Sequence, residues 1–445
     1  MVLSFPICSF AAPVLAINNP DAWYMIGSHA DALEDPGGGL SVRDVTEPPH
    51  RYRFTPLGAD IPNLGFTSST YWLRVEVVNA SGAPQTMILA QISSWIDQLD
   101  LTVIRAGGGM ETRLSGAKYP FYDREIANPQ FLFSVDLAAE EKVTLLLRVK
   151  SDDPVQLPMT LWKKKAFEIH NLGFSLYFGV IYGCLLAVLL YNFFIFLSLR
   201  DTTYLYYVLY ISSLLFMIFT YSGSSYQYIW PDSPRFQALA PFATGYISMF
   251  LAISFAKRFL GTAGNLPGAH RFLGVFQGLI LLSAVAGFAM RSQYFISLTC
   301  TVMAIVFPPT QAAIGVMAYR NNIRSARFFV VAWSFSMFGI LFTMGSVTGL
   351  YSSSLASQRS MEMGLVIDAI LLSFALADKI RILRQEKERA EEETRRTLAR
   401  SKAELEDRVE KRTQELKSAK DTAEAAILLN SPLKNPPFSD KPIDH

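Results

Sequence analysis

The chain has 445 residues, of which 51% are hydrophobic and 18% are charged, and its formal net charge at pH 7 is +2. This near-neutral charge gives no support to a nucleic-acid partner, because proteins that bind nucleic acids usually present a strongly basic surface. None of the three cysteines, Cys8, Cys184 and Cys300, lies between residues 20 and 165, so this part of the chain has no disulfide framework. This N-terminal, more polar part of the chain must therefore be stabilised by its own hydrophobic core.

Residues 1–16 have features of a signal peptide. A short apolar stretch ends in Val14-Leu15-Ala16, which suits signal-peptidase cleavage after Ala16. No Lys or Arg precedes the stretch, although a signal peptide normally begins with one. The alternative is that translation starts further upstream and that a basic segment is missing from this sequence.

Residues 20–165 alternate between apolar and polar side chains. In Tyr71-Trp72-Leu73-Arg74-Val75-Glu76-Val77 the aliphatic residues take one face, and Trp72, Arg74 and Glu76 take the other. The alternation recurs over residues 99–103, 131–137 and 143–149, with turn sequences such as Gly107-Gly108-Gly109 between the runs. Several short strands at this spacing predict an all-β sandwich.

Aromatic and basic side chains in this domain indicate a ligand site rather than an active site. Flat rings beside hydrogen-bonding groups suit sugars or other small polar ligands. The candidates are Trp72, Arg74, Trp95, Tyr119, Tyr122 and Arg124. The alternative is that these rings only fill the core. Asp97 and Asp100 are not paired across an evident cleft, and the histidines are widely spaced, so we expect no catalytic residue, no metal and no cofactor.

Seven long apolar runs follow the β domain. Each is close to the ~20 residues that a helix needs to cross a bilayer, and the runs contain almost no charge. They span residues 172–199, 203–221, 239–255, 272–290, 294–318, 328–350 and 361–380. This pattern predicts a seven-helix transmembrane bundle over residues 172–380.

The basic residues of the connecting loops predict the orientation of the bundle. If the β domain is outside, the inner loops hold Arg200, Lys257, Arg258, Arg271, Arg320, Arg324 and Arg327. The outer loops hold only Arg235, Arg291 and Arg359. Because cytoplasmic loops carry an excess of Lys and Arg, this bias places the N-terminal domain outside and the C-terminus in the cytoplasm.

Asp368 is an ionisable residue deep in the last predicted span. Its neighbours Ile367, Ala369 and Ile370 are apolar, and a charge at this depth is costly unless it faces the bundle interior. Two interpretations remain open: Asp368 relays a signal between helices, or it only pins the last helix to a neighbour. A retinal pigment is disfavoured, because it needs a lysine within the last helix and Lys379 lies at the inner edge.

The bundle also contains short motifs in a defined order. They are LLYNFFIFLSLRDTTYLYYVLY over residues 189–210, Ile229-Trp230-Pro231, Lys257-Arg258-Phe259-Leu260, Ala326-Arg327-Phe328 and LLSFALADKI over residues 371–380. In this order, after a β domain, they resemble the bacterial seven-transmembrane receptors with diverse intracellular signalling modules. The resemblance implies a multi-pass protein of the bacterial inner membrane.

The resemblance also has implications for individual segments. Residues 69–167, including the run Trp95-Ile96-Asp97-Gln98-Leu99-Asp100, resemble the family's extracellular sensing domain, a jelly-roll sandwich similar to carbohydrate-binding modules. This implies a small, carbohydrate-like ligand outside the cell. Asp368, five residues before Ser373, stands where the last helix of the family often has an acidic residue, which favours signal relay.

Residues 381–426 predict a C-terminal coiled-coil helix. The apolar positions follow a spacing of four and three if Lys402 and Arg412 each take one core position, and they are Leu398, Leu405, Val409, Leu416, Ala419, Ala423 and Ala426. The alternative is a single solvated helix. Such a seam directly below a membrane predicts a parallel homodimer.

Residues 427–445 are rich in proline and lack a His-Glu pair, a GGDEF-like loop and nucleotide-binding glycines. In the family, the preceding helix commonly feeds a histidine kinase or a diguanylate cyclase. We therefore predict that this chain is a receptor that signals to a cytoplasmic partner and is not itself an enzyme. We interpret its end as a disordered or truncated tail. The alternatives are a truncated kinase or cyclase and a transporter, although a transporter would be expected to have internal repeats and more midplane charges.

Overall fold

A computed structural model describes residues 11–18, 23–352 and 354–429. The N-terminal part is built from strands, which confirms the predicted all-β domain. The strands are β1 (Leu15–Ile17), β2 (Trp23–Met25), β3 (Ala30–Asp35), β4 (Thr55–Pro56), β5 (Asn63–Gly65), β6 (Thr70–Asn79), β7 (Gln85–Gln91), β8 (Gln98–Arg105), β9 (Met110–Arg113), β10 (Phe131–Leu137), β11 (Lys142–Lys150), β12 (Val155–Gln156) and β13 (Met159–Lys163).

The strands form two main sheets that enclose the core of a sandwich. The larger has the order β4-β3-β6-β11-β8-β9, with β1 joined to β6, and the smaller has the order β10-β7-β13-β2. Leu73, Val75 and Val77, the aliphatic face of the predicted strand, are fully buried between the sheets. Leu147 of β11 pairs with Leu73 and with Leu101. Strand periodicity therefore identified the inner face correctly.

The face of β6 that points away from the main core is also covered, near Trp72. Trp72 is only 2% exposed and packs with Leu33, Phe54 and Leu146 in a smaller hydrophobic cluster. The covering segment includes the short helix α1 (Val42–Thr46), whose Val45 joins the same cluster. Alternation placed Trp72 on the face opposite the main core, and the covering segment buries Trp72 on that face.

The described end of the predicted leader belongs to the sandwich. Strand β1 runs parallel to β6, and Leu15 and Ile17 are buried in the main core. Residues 1–10 lie outside the described part of the chain. Cleavage after Ala16 would cut through β1, so the proposed cleavage site remains a prediction that now conflicts with a structural element.

Within the described ranges, seven helices have the length and composition needed to span a membrane, as the sequence predicted. They are α2 (Lys164–Leu199), α3 (Thr202–Tyr221), α5 (Pro234–Phe259), α7 (Pro267–Met290), α8 (Gln293–Arg320), α9 (Ala326–Val347) and α10 (Leu355–Leu429). The short helices α4 (Ser224–Tyr228) and α6 (Thr262–Asn265) lie in the connections. Helix α5 is the most enclosed, followed by α3 and the span in α10, whereas few residues of α2 and α7 are buried, as lipid contact requires.

The sandwich and the bundle are joined without a linker. The sequence ended the β domain at residue 165 and began the bundle at residue 172, but β13 ends at Lys163 and α2 begins at Lys164. Polar residues such as Glu168 and His170 lie outside the apolar run yet continue the helix. Hydropathy therefore located the apolar part of α2 and missed its first turns.

The C-terminal unit, residues 378–445, is described from Asp378 to Leu429 as part of α10. Exposed ion pairs one turn apart support this helix, for example Lys402 with Glu406 and Lys411 with Asp407. Leu398, Leu405, Val409 and Leu416 are 56% to 70% exposed. The predicted coiled coil remains a prediction, and most of the predicted tail, from residue 430, lies outside the described residues.

Candidate functional site

Three of the six predicted ligand residues, Trp72, Arg74 and Tyr119, belong to one network on the larger sheet. Arg74 Nη2 lies 2.8 Å from Asp31 Oδ2, and its guanidinium lies 4.4 Å from the centre of the Phe54 ring. The guanidinium of Arg148, which pairs with Trp72 across the strands, lies 5.9 Å from the Trp72 ring.

The same network continues to Tyr119. Arg148 Nη1 lies 3.9 Å from Asp100 Oδ2, and Gln98 Nε2 donates to Asp100 Oδ2 at 2.6 Å and to the Tyr119 hydroxyl at 3.4 Å. Burial raises the pKa of Asp100. We call Trp72, Arg74, Asp100, Tyr119 and Arg148 the sheet-face cluster. Sequence reasoning missed Arg148, although the alternation of β11 could have placed it beside Trp72.

Arg124 is not part of the sheet-face cluster. It is 7% exposed, and its guanidinium lies 4.5 to 5.5 Å from the rings of Phe121, Phe131 and Tyr226. Its Nη1 donates to the carbonyl oxygen of Asn128 at 2.8 Å. Burial lowers the pKa of Arg124 to about 10. Because Tyr226 belongs to α4, this arginine joins the sandwich to the connection between α3 and α5.

Further hydrogen bonds join the sandwich to the ends of the membrane helices that lie next to it. At the end of α9, Ser346 O accepts from Asn63 Nδ2 at 2.6 Å and from Gln156 Nε2 at 2.8 Å. At the end of α3, Tyr221 O accepts from Ser94 Oγ at 3.0 Å. The Tyr226 hydroxyl of α4 donates to Tyr119 O at 2.5 Å. Tyr119 thus contacts the bundle through its backbone and the sheet-face cluster through its side chain.

Two buried carboxylates of the sandwich meet the start of α8. Gln293 Nε2 donates to Asp153 Oδ2 at 3.0 Å and to Asp97 Oδ1 at 3.3 Å. Lys118 Nζ lies 3.4 Å from Asp97 Oδ2. Burial, with a further contribution from the Asp97 charge, raises the pKa of Asp153 to about 7, and burial also raises the pKa of Asp97. The sequence provided no signal for this pair, because Gln293 is 140 residues from Asp153.

Trp95 lies at a cavity between the sandwich and the bundle. Its Nε1 donates to Pro154 O at 3.3 Å, and its side chain is partly buried against the sandwich core. The cavity has a volume of about 140 Å³, and its walls come from the sandwich and from α2, α3, α5, α8, α9 and α10. We call it the interface cavity. Its lining includes Asp153, Arg359 and Glu362.

Asp368 is fully buried inside the bundle. Its Oδ2 accepts a hydrogen bond from the Tyr210 hydroxyl of α3 at 3.1 Å, while Oδ1 has no hydrogen-bond partner among the described residues. Two further bonds hold this part of α10: the Tyr207 hydroxyl donates to Ala369 O, and Asn192 Nδ2 of α2 donates to Ser373 Oγ at 2.8 Å. A bundle cavity of about 80 Å³ lies beside Tyr210.

Metal-binding residue types do not cluster in the described ranges. No group of three or more His, Cys, Asp or Glu side chains there has a metal-binding arrangement. His29 Nδ1 lies 2.8 Å from Pro13 O, His50 Nδ1 lies 3.2 Å from Arg53 Nη1, and His170 stacks on Trp162. These contacts give His29, His50 and His170 local structural partners.

Two family models match the chain. The model described as 7TM diverse intracellular signalling matches residues 174–379. The model described as 7TMR-DISM extracellular 2 matches residues 27–163. The first match coincides with the bundle, and the second coincides with the sandwich. No curated protein matches the chain.

Proposed function

The chain belongs to the 7TMR-DISM family of transmembrane signalling receptors, and from this premise we propose that its sandwich senses a small, carbohydrate-like ligand and that the bundle relays the change to a cytoplasmic partner. The observation that carries the proposal is the direct docking of the sandwich on the bundle, through Ser94, Asn63 and Gln156. A change in the sandwich therefore has a physical route to α3 and α9.

The sheet-face cluster supports a polar ligand at the sandwich. It combines guanidinium groups, a carboxylate and a phenol, and the side chains of Arg74 and Arg148 are 21% and 24% exposed. Thr70 Oγ1, Trp72 Nε1 and Asp100 Oδ1 are buried without a hydrogen-bond partner in the described part of the sandwich. Since Trp72 is nearly fully buried, we expect it to support Arg148 while Arg74, Tyr119 and Arg148 contact the ligand.

The ligand site can be tested on the purified full chain with a glycan panel and titration calorimetry. We expect Arg74→Ala and Tyr119→Ala to weaken binding about tenfold or more, because each removes hydrogen-bonding capacity from the cluster. Trp23→Ala is the matched control, since Trp23 is half-exposed on the smaller sheet. Wild-type affinity in both cluster variants would remove the cluster from the ligand site, and a panel without any binder would count against the carbohydrate class.

The proposed location is the bacterial inner membrane, with the sandwich outside and the C-terminus in the cytoplasm. An odd number of spans, seven among the described residues, supports ends on opposite sides of the membrane. The excess of Lys and Arg in the proposed inner loops supports a cytoplasmic C-terminus. We expect an alkaline phosphatase reporter to be active after Lys165 and inactive after Arg400, with a fluorescent-protein reporter giving the reverse. Activity of the same reporter at both positions would contradict the seven-span topology.

We further propose that α10 forms a parallel homodimer and passes the signal to a separate output protein. The exposed Leu398, Leu405, Val409 and Leu416 lie on a helix that is otherwise dense in charge. Burying these side chains against a second copy would remove apolar surface from water, and the charges would flank the seam. This seam is the support for the dimer.

A further inference from the structure

We propose that the interface cavity is a binding site for a small protonated amine with an apolar body. This site is separate from the sheet-face cluster, and neither family match assigns it. The test of this proposal measures amine binding alone. Absence of amine binding would leave the proposed receptor function untouched, and failure of the receptor function would leave amine binding untouched.

Two carboxylates would recognise the amine. Asp153 reaches the cavity from the sandwich and Glu362 from α10, and they are only 3% and 8% exposed. Asp153 Oδ1 and Glu362 Oε2 make no hydrogen bond to another described residue. The nearby Ser297 hydroxyl partly opposes the rise in the pKa of Asp153, but its Oγ has no hydrogen-bond partner among the described residues. Buried carboxylate oxygens need donors, and an ammonium group supplies three.

The charge of the cavity favours a cation over an anion. Arg359 lines the cavity, but its Nη1 already faces Glu362 Oε1 at 3.9 Å, and its guanidinium lies 4.8 to 5.1 Å from the rings of Phe174, Tyr177 and Phe178. The positive charge of Arg359 therefore offsets the negative charge of Glu362. Asp153 adds a second carboxylate, which leaves an excess of acceptor groups for a cationic donor.

The remaining walls of the interface cavity are suited to the apolar part of the ligand. They include Trp95, Phe174, Phe242, Met344 and Met361, and aromatic rings also attract an ammonium group through cation–π contacts. The bundle cavity shares four lining residues with the interface cavity, namely Tyr221, Thr301, Met344 and Met361. Because the bundle cavity reaches Tyr210, a ligand that extends inward would approach the hydrogen bond to Asp368.

Benzylamine is the probe, and benzyl alcohol is its uncharged counterpart of similar shape. Calorimetry on the purified full chain in detergent should detect benzylamine binding and at least about tenfold weaker binding of benzyl alcohol. Asp153→Asn and Glu362→Gln should each weaken benzylamine binding about tenfold. Asp152→Asn is the matched control, because this neighbouring carboxylate is 42% exposed and lies outside the cavity lining. We expect the affinity of Asp152→Asn for benzylamine to remain within about twofold of wild type.

The pH dependence provides a second measurement. With a pKa of about 7, Asp153 is mainly protonated at lower pH and ionised at higher pH. Benzylamine stays protonated across this range, so its affinity should rise several-fold from about pH 6 to about pH 8. Asp153→Asn should flatten the rise. The other titratable or charged groups around Asp153 are Asp97, Asp152, Lys118, Tyr221, Cys300, Arg359 and Glu362.

The proposal is overturned if benzylamine does not bind, or if benzyl alcohol binds equally well. It is also overturned if Asp153→Asn and Glu362→Gln bind like wild type in samples that keep the wild-type unfolding temperature. If either variant fails to fold, the comparison of benzylamine with benzyl alcohol on the wild-type chain and the pH series decide the question.

Discussion

Replacing Gly339 with leucine should prevent α9 and α10 from packing and should remove most of the folded protein from the membrane. A Cβ atom at Gly339 would lie 2.3 Å from Ser360 O, and one at Gly364 would lie 2.8 Å from Phe335 O. These neighbours are backbone atoms, so the helices themselves would have to move apart. Small residues at helix contacts allow such close approach in membranes, and overpacking here should cost about 3 kcal/mol or more.

The measurements are membrane abundance and the unfolding temperature of the detergent-purified chain. Gly183→Leu is the matched control, because Gly183 also lies within a membrane helix but has no atom within 4 Å of its would-be Cβ. We expect this control to behave like wild type. Equal abundance and stability of Gly339→Leu and Gly183→Leu would show that the α9–α10 contact is not as close as described.

Replacing Asp368 with asparagine should leave the fold intact and change the signalling equilibrium. Asparagine keeps the shape and can still accept the hydrogen bond from Tyr210, but it cannot become charged. If Asp368 changes partners between two states of the bundle, losing its charge alters the energy difference between them. The basal dimer contact of α10 should then shift several-fold, and its response to ligand should be reduced.

The readout is disulfide crosslinking of Leu405→Cys in a chain whose native cysteines are replaced by alanine, with and without a ligand from the glycan panel. Tyr210→Phe should change crosslinking in a similar way, because it removes the hydroxyl that donates to Asp368. Tyr206→Phe, on the same helix, is the matched control. Wild-type crosslinking in Asp368→Asn at equal membrane abundance would leave Asp368 with a structural role only. Absence of any Leu405 crosslink would count against the proposed dimer.

Features that depend on local periodicity could be predicted from the sequence. Leu73, Val75 and Val77 face the core because a strand alternates its side chains, and the seven spans are apolar because lipid imposes this on every lipid-facing residue. The buried position of Asp368 also follows locally, since a carboxylate at that depth must avoid lipid.

Features that depend on how distant elements dock were decided only by the tertiary structure. Gln293 donates hydrogen bonds to both Asp97 and Asp153, which precede it in the sequence by 196 and 140 residues. No local sequence pattern connects residues so far apart. Arg124 looked like a ligand residue, yet three rings enclose it where the sandwich meets α4. The sequence by itself determined which faces must avoid water, because that requirement acts on each segment separately. The partners of those faces, and the cavities between them, depend on shape complementarity between surfaces that form only after folding.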